Sequence, residues 1–209
     1  MKCKVCGRVY KRKECEFCMR TRKWESMCIE FRRKTFTPRL IRDLELYTSP
    51  DDIPSLPNTG KGLYIHGPIG AGKTLLAARI LEKEKRECFI ENKPFSIQFV
   101  SVPVLLSQLR STFSANKNTP SEMELIYQYS DVDCLVLDDL GGEKSSEWVL
   151  QSLYIIINNR YEYLKPTIFT SNLDLDQLAE KLGDDRIPSR IYNMAELHRL
   201  EDEDKRLIQ

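Results

Sequence analysis

The sequence predicts an α/β domain, built on a parallel sheet with helices on both faces and preceded by a small metal-stabilised head. Three observations favour this fold. Short apolar runs alternate with helical segments from residue 62 onward, a glycine-rich loop joins the first run to a helix, and four cysteines crowd the N-terminus. At 209 residues the chain is long enough for one such domain and a small appendage.

The strands and helices follow from the spacing of apolar residues. Four runs predict strands at 62–66, 97–101, 134–138 and 167–171, and a weaker fifth run lies near 196–200. Helical periodicity between them predicts helices around 73–87, 103–113, 145–164 and 174–182. The last of these begins with Asp174 and Gln177 at the spacing of a capping box. Alternating strands and helices imply a parallel sheet.

Charge is distributed unevenly along the chain. Residues 1–39 carry 13 Lys and Arg against four Glu, a net of +9; the whole chain is +1, so residues 40–209 sum to −8. A basic head on an acidic body favours contact with nucleic acid or an acidic protein face, although the charge could also serve only solubility.

The sequence contains no apolar run of membrane-spanning length and no secretory signal. We therefore expect a cytoplasmic protein that is not embedded in a membrane.

The basic head contains four of the seven cysteines, as two C-x-x-C pairs: Cys3, Cys6, Cys15 and Cys18. Two thiolates three positions apart can coordinate one metal ion, and two such pairs complete a tetrahedral zinc site. A segment this small buries too little apolar surface to fold alone, so zinc would form its core. A redox dithiol is the alternative, but that chemistry needs one pair near a βαβ unit.

The domain organisation follows from these features. We predict a four-cysteine zinc ribbon at 1–22, a basic linker helix at 23–38 and the main domain at 39–209, with Pro38 at the junction.

The stretch "GPIGAGKT" fits the phosphate-binding pattern G-x-x-x-x-G-K-[ST]. In that pattern backbone N–H groups surround the β-phosphate, the lysine reaches the β- and γ-phosphates, and the hydroxyl ligates Mg²⁺. A merely flexible glycine turn would not require the strand before it and the helix after it. We predict that ATP is bound by Gly67, Pro68, Ile69, Gly70, Ala71, Gly72, Lys73, Thr74 and Leu75, with Lys73 also acting in catalysis.

Asp138 and Asp139 end the third predicted strand. The first carboxylate can hold Mg²⁺ together with Thr74, and the second can polarise an attacking water. Taken alone, two aspartates at a strand end could equally form an Asx turn. Beside a phosphate-binding loop the metal role is favoured, and two adjacent carboxylates favour hydrolysis over a small-molecule kinase reaction.

Two further groups of polar residues could contact the γ-phosphate. The fourth predicted strand ends in "TSN", and Asn172 is either a γ-phosphate sensor between the first and third strands or a turn residue. Arg186 and Arg190 lie four positions apart beside an apolar row, so both guanidinium groups should emerge on one edge. An arginine at such an edge can enter a neighbouring subunit's site and neutralise charge there. The alternative is a surface arginine pair.

From about residue 36 to the end, the chain resembles the AAA+ ATPases of the DnaC/DnaI helicase-loader and IstB group. The matching stretches are "GLYIHGPIGAGKT", "VSVPVLLSQLR", "LVLDDLGGEKSSEW", "NNRYEYLKPTIFTSNLDLDQL" and "RIPSRIYNM". The resemblance implies a P-loop NTPase core of the AAA+/ASCE type, without the helical lid domain. It places Asp139 where glutamate is often found, Asn172 as sensor 1, and Arg190 as the trans-acting finger with Arg186 beside it. The resemblance also aligns Arg206 with an arginine near that group's C-terminus.

The same resemblance implies a function. In helicase loaders the N-terminal part engages the replicative helicase, while the ATPase core assembles and contacts single-stranded DNA. We therefore expect an ATP-dependent homo-oligomer that uses ATP, Mg²⁺ and Zn²⁺ to deliver a replicative helicase onto single-stranded DNA. An IstB-like ATPase assisting DNA transposition is the alternative. A small-molecule kinase with a zinc lid is a third class, which the double aspartate, "TSN" and the lack of an acceptor-binding motif disfavour.

Overall fold

A computed structural model describes residues 2–3, 6–9, 15–46, 53–57, 60–114, 119–144 and 146–201. Arg206 lies outside the described residues. The five strands in these ranges are β1 (Gly62–His66), β2 (Ile97–Ser101), β3 (Cys134–Leu140), β4 (Thr167–Ser171) and β5 (Ala195–Arg199). Every pairing between them is parallel, and they form one sheet in the order β2-β3-β4-β1-β5. The predicted α/β fold with a parallel sheet is confirmed.

Eight α-helices accompany the sheet in the described part of the chain: α1 (Glu16–Thr35), α2 (Pro38–Leu46), α3 (Lys73–Glu91), α4 (Val102–Ser111), α5 (Glu122–Asp131), α6 (Glu147–Glu162), α7 (Leu175–Leu182) and α8 (Arg186–Met194). Strand side chains alternate between two apolar clusters, because successive residues of a strand point to opposite faces. Leu63, Ile65 and Val136 pack with α2 and α3, whereas Tyr64 and Leu137 pack with α4 to α8. Helices therefore cover both faces of the sheet, as predicted.

Four of the predicted strands begin where the structure places them, and β3 runs two residues further, to Leu140. Leu140, which is 1% exposed, pairs with Ser171 of β4 beyond an irregularity in the register, and this pairing extends the strand. Helix α5 was not predicted. It begins at a capping box in which Ser121 and Glu124 exchange hydrogen bonds, but only three of its ten residues are buried.

Helix α1 packs along α3. The Trp24 ring is buried, with its centre 5.6 Å from that of Phe89, and the Arg32 guanidinium donates to Glu82 over 2.8 Å. The predicted boundary between residues 22 and 23 falls inside this helix, and Pro38 begins α2. The predicted linker, residues 23–38, therefore packs against α3, the helix that starts at the phosphate-binding loop.

No helix within the described ranges combines the length and the apolar character that crossing a bilayer requires.

Candidate nucleotide-binding site and cysteine cluster

The predicted phosphate-binding loop lies between the end of β1 and the start of α3. Gly67, Gly70 and Gly72 have φ values of 146°, 86° and 91°, in the range that glycine adopts most readily. At Gly67 a Cβ atom would lie 2.2 Å from the carbonyl oxygen of Leu200, which leaves no room for a side chain. The glycines therefore allow a tight loop packed directly against the chain that leaves β5.

Lys73 begins α3 and is 8% exposed. Its ammonium donates to the carbonyl oxygens of Gly67 and Pro68, over 2.8 and 2.7 Å. The cation therefore lies within the loop whose residues are predicted to surround the phosphates.

Thr74 and Asp138 are brought together from positions 64 residues apart. The Thr74 hydroxyl donates to Oδ1 of Asp138 over 2.8 Å. Burial raises the pKa of the Asp138 carboxyl; hydrogen bonds from Thr170 and Thr74 act in the opposite direction, and the charge of Asp139 adds to the increase. A hydroxyl and a carboxylate side by side are oxygen donors of the kind that Mg²⁺ prefers, so the predicted pair fits that ion.

Asp139, the predicted catalytic carboxylate, is exposed and has a positive φ of 61°. The pairing of β3 with β4 shifts register between Leu137 and Leu140, so Asp139 lies in an irregular part of the strand. Its backbone N–H donates to the hydroxyl of Thr170 over 2.9 Å. The two adjacent aspartates therefore present their side chains differently: Asp138 is half-buried beside Thr74, and Asp139 faces solvent.

Asn172 directly follows β4, which lies between β1 and β3 as expected for a γ-phosphate sensor. Its side chain is exposed. The turn that carries it is held from both neighbouring strands. Ser171 donates its hydroxyl to the carbonyl of Leu140 and accepts the N–H of Leu173, while Tyr64 donates its hydroxyl to the carbonyl of Leu173 over 2.8 Å.

Arg186 and Arg190 both lie on α8 beside the ring of Tyr154, at 5.0 and 5.9 Å from its centre. Arg186 pairs with Asp184 over 2.6 Å, and Nε of Arg190 donates to Asn158 on α6 over 2.9 Å. Among the contacts of the described residues, neither guanidinium touches the phosphate-binding loop. Within one subunit these arginines therefore belong to the α6–α8 surface.

Sequence reasoning missed the supporting hydroxyls of Tyr64 and Thr170. The Thr170 hydroxyl contacts both Asp138 and Asp139, and Tyr64 anchors the turn after β4. The available signal was a polar residue near the end of a buried run: Thr170 directly follows Ile168 and Phe169 on β4, the strand next to the one that contains the two aspartates.

The four predicted zinc ligands form one cluster, in which all Sγ atoms lie within 4.8 Å of one another. Cys3 and Cys18 are 3.7 Å apart, and Cys6 and Cys15 are 3.5 Å apart. A tetrahedral zinc ion with bonds of about 2.3 Å separates its sulfur ligands by about 3.8 Å, so the cluster fits zinc.

Local backbone structure shapes each of the two pairs. Gly7 has a φ of 71° and donates its N–H to the carbonyl of Cys3, which closes the turn that carries the first pair. Cys15 precedes α1, and Cys18 lies in its first turn. The second pair is therefore positioned by a helix that packs on the main domain.

Comparisons with known proteins agree with the geometry. The family described as IstB-like ATP binding protein matches residues 30–203. The replicative helicase loader DnaI of Bacillus subtilis (strain 168) is 27% identical over 159 residues, which is 70% of this chain and 48% of that protein. The replicative helicase loader DnaC of Escherichia coli (strain K12) is 30% identical over 118 residues, which is 56% of this chain and 45% of that protein. The chain thus spans about half the length of these curated relatives.

Solved structures give the same result. A crystal structure of the DnaC helicase loader has a TM-score of 0.56 and 29% identity, covering 78% of this chain and 86% of that one. A crystal structure of DnaI has a TM-score of 0.54 and 31% identity, covering 79% and 80%. AMPPCP-bound DnaA from Aquifex aeolicus, at 22% identity and a TM-score of 0.60 over 78% of this chain and 50% of that one, shares the fold. With a P-loop, an AAA+-like sheet and a family match over most of its length, this chain belongs to the IstB-like ATP-binding protein family and is homologous to the DnaC and DnaI helicase loaders.

Proposed function

We propose that this chain is an ATP-hydrolysing DNA replication protein, a DnaC/DnaI-like loader that delivers a replicative helicase onto single-stranded DNA. The observation that carries the proposal is its similarity, in sequence and in structure, to two proteins named as helicase loaders. The geometry of the phosphate-binding loop supports the nucleotide part of the proposal.

In this proposal, residues 67–75 hold the phosphates of ATP, and the buried Lys73 ammonium turns from two loop carbonyls to the β- and γ-phosphates. Thr74 and Asp138 would hold Mg²⁺, which when bound supplies positive charge against the phosphate oxygens. The exposed carboxylate of Asp139 polarises the attacking water. Asn172, on its anchored turn, contacts the γ-phosphate.

Hydrolysis in this scheme is slow in a single subunit and is accelerated by a second one. Arg190 and its neighbour Arg186 lie on a surface of α8 and α6 that makes no contact with its own phosphate-binding loop among the described residues. We place Arg190 in the site of the adjacent chain, where its charge neutralises the leaving phosphate. ATP then stabilises a homo-oligomer, because the γ-phosphate lies at the joint between two subunits.

The N-terminal part has a separate role in the proposal. Residues 1–22 bind one Zn²⁺ through the four-cysteine cluster, residues 23–38 continue as the basic helix, and residues 39–209 form the ATPase core. Zinc with four thiolates carries a charge of −2, which reduces the net +9 of the first 39 residues without reversing it. We assign this basic part to contact with the helicase and the core to contact with single-stranded DNA.

The test is capture of the purified hexameric replicative helicase encoded in the same genome by the full chain, with ATP or with ADP. A loader retains the helicase in a nucleotide-dependent manner, and the Lys73→Ala variant loses that dependence. Absence of helicase capture in either nucleotide, by protein that binds ATP, would reject the loader role.

The family description favours a second candidate, an ATPase that assists DNA transposition. This alternative predicts ATP-dependent binding to duplex DNA and to a transposase, with no helicase capture. The same pull-down, run with both partners, separates the two functions.

A further inference from the structure

The side chain of Thr170 connects the two aspartates at the end of β3. Thr170 is 2% exposed and lies on β4, the strand next to β3. Its hydroxyl accepts the backbone N–H of Asp139 over 2.9 Å and donates to Oδ1 of Asp138 over 2.7 Å. A threonine hydroxyl offers one donor and two acceptor sites, so it can make both bonds at once.

The two hydrogen bonds hold different parts of the site. Oδ1 of Asp138 accepts from Thr170 and from Thr74, so hydroxyls from β4 and α3 fix the carboxylate between them. The bond to Asp139 acts on the backbone instead. Where β3 and β4 lose their regular register, the Thr170 side chain provides the acceptor for the Asp139 N–H.

The second bond matters because the backbone of Asp139 has an unusual conformation. Its φ of 61° lies in the left-handed region, which residues other than glycine adopt rarely, although Asp tolerates it better than most. Such a conformation persists only where surrounding contacts hold it. The hydrogen bond that the Asp139 N–H donates to the Thr170 hydroxyl on the neighbouring strand is a contact of this kind. The conformation that it holds sets the direction in which the carboxylate projects.

We propose that Thr170 is a positioning residue for ATP hydrolysis, whose hydroxyl holds Asp138 beside Thr74 and keeps Asp139 in its left-handed conformation. The inference rests on the proposed ATPase function. It predicts that removing the hydroxyl raises the Mg²⁺ concentration that nucleotide binding requires, through Asp138, and lowers turnover, through Asp139. Affinity for the phosphates through the loop itself should change little.

The variants are Thr170→Val, which keeps the shape and removes the hydroxyl, and Thr170→Ser, which keeps the hydroxyl. Thr167→Val is the matched control, because Thr167 is also a buried threonine of β4, but its hydroxyl accepts from Arg160 over 2.8 Å instead. Thr167→Val should therefore lower stability without acting on the aspartates.

Three measurements are made on each full-length variant: amide hydrogen exchange at Asp139 without nucleotide, Mg²⁺ dependence of binding to a fluorescent ATP analogue, and steady-state ATP hydrolysis. We expect Thr170→Val to exchange the Asp139 amide at least tenfold faster, to need several times more Mg²⁺, and to lose about tenfold or more in kcat. Its KM should change less than kcat. Thr170→Ser should stay within about threefold of the wild type in all three, and Thr167→Val should leave Asp139 exchange and Mg²⁺ dependence unchanged.

The inference is overturned if Thr170→Val retains wild-type exchange at Asp139 and wild-type Mg²⁺ dependence, or if Thr170→Ser is as impaired as Thr170→Val. It is also overturned if Thr167→Val reproduces the Mg²⁺ shift, because loss of stability would then explain the effect. Failure of the proposed function gives a different result, in which wild-type protein hydrolyses no ATP. The exchange measurement requires neither nucleotide nor metal, so it decides the role of Thr170 in that case too.

Discussion

Nε of Arg190 donates to Oδ1 of Asn158 over 2.9 Å, which ties the arginine of α8 to helix α6 of the same subunit. The guanidinium also lies 5.3 Å from the ring centre of Tyr161. These contacts fix the direction in which Arg190 leaves its helix. If the residue acts in a neighbouring site, it enters that site already oriented by its own subunit.

Arg190→Ala should spare ATP binding and lower turnover, because an arginine finger can be worth about 10³ or more in rate. A mixture of Arg190→Ala chains with Lys73→Ala chains should regain activity where an intact loop meets an intact Arg190. Arg42→Ala, an exposed arginine of α2, is the matched control and should hydrolyse ATP at the wild-type rate. If mixing restores no activity under conditions where wild-type chains assemble, the action in trans is wrong.

Lys73→Ala and Asp139→Asn should separate binding from hydrolysis. Loss of the buried ammonium removes the charge assigned to the β- and γ-phosphates, so nucleotide affinity should collapse. Asp139→Asn leaves Asp138 and Thr74 in place, so binding should survive while turnover falls by about two to four orders of magnitude. Both variants are tested by equilibrium nucleotide binding and by steady-state ATP hydrolysis. Normal turnover in Asp139→Asn would show that Asp139 has no catalytic role.

The purified protein should contain about one zinc ion per chain, because four thiolates at the observed separations complete a tetrahedral site. Chelation should unfold the head and leave ATP binding intact, since the main domain has its own apolar core. Cys3→Ser should lose the metal, whereas Cys88→Ser, outside the cluster, should retain it. Elemental analysis that finds no zinc in freshly purified, reduced wild-type protein would reject the site.

His66, at the end of β1, should make folding stability depend on pH. Burial lowers its pKa below the usual 6.5, and the charges of Arg199, His198 and Lys73 act in the same direction, against Asp174. The folded state thus favours the neutral ring, so this contribution to stability is present above the unfolded pKa and is lost as pH falls through the folded pKa. Thermal unfolding between about pH 7.5 and 5 should show a smaller loss in His66→Gln than in the wild type. Equal losses would show that His66 does not contribute.

The prediction of strands from sequence worked because β1 to β4 each contain a short apolar run with turn residues or charges at its ends. These runs are buried in β1, β3 and β4 and mostly half-buried in the edge strand β2. Helix α5 was missed because only Ile126, Tyr129 and Ser130 are buried in it, which leaves a weak periodic signal. The left-handed backbone of Asp139 could not be predicted either. It depends on the register shift between β3 and β4 and on a hydroxyl from a residue 31 positions away, and neither appears in local sequence.

The most direct test of the proposed function measures helicase delivery onto DNA. The hexameric replicative helicase encoded in the same genome is incubated with circular single-stranded DNA, ATP and the full chain, and the helicase retained on the DNA is quantified. We expect the wild type and Arg42→Ala to raise retention several-fold over helicase alone, and Lys73→Ala to give no increase. If wild-type protein that binds ATP fails to raise retention, the chain is not a helicase loader.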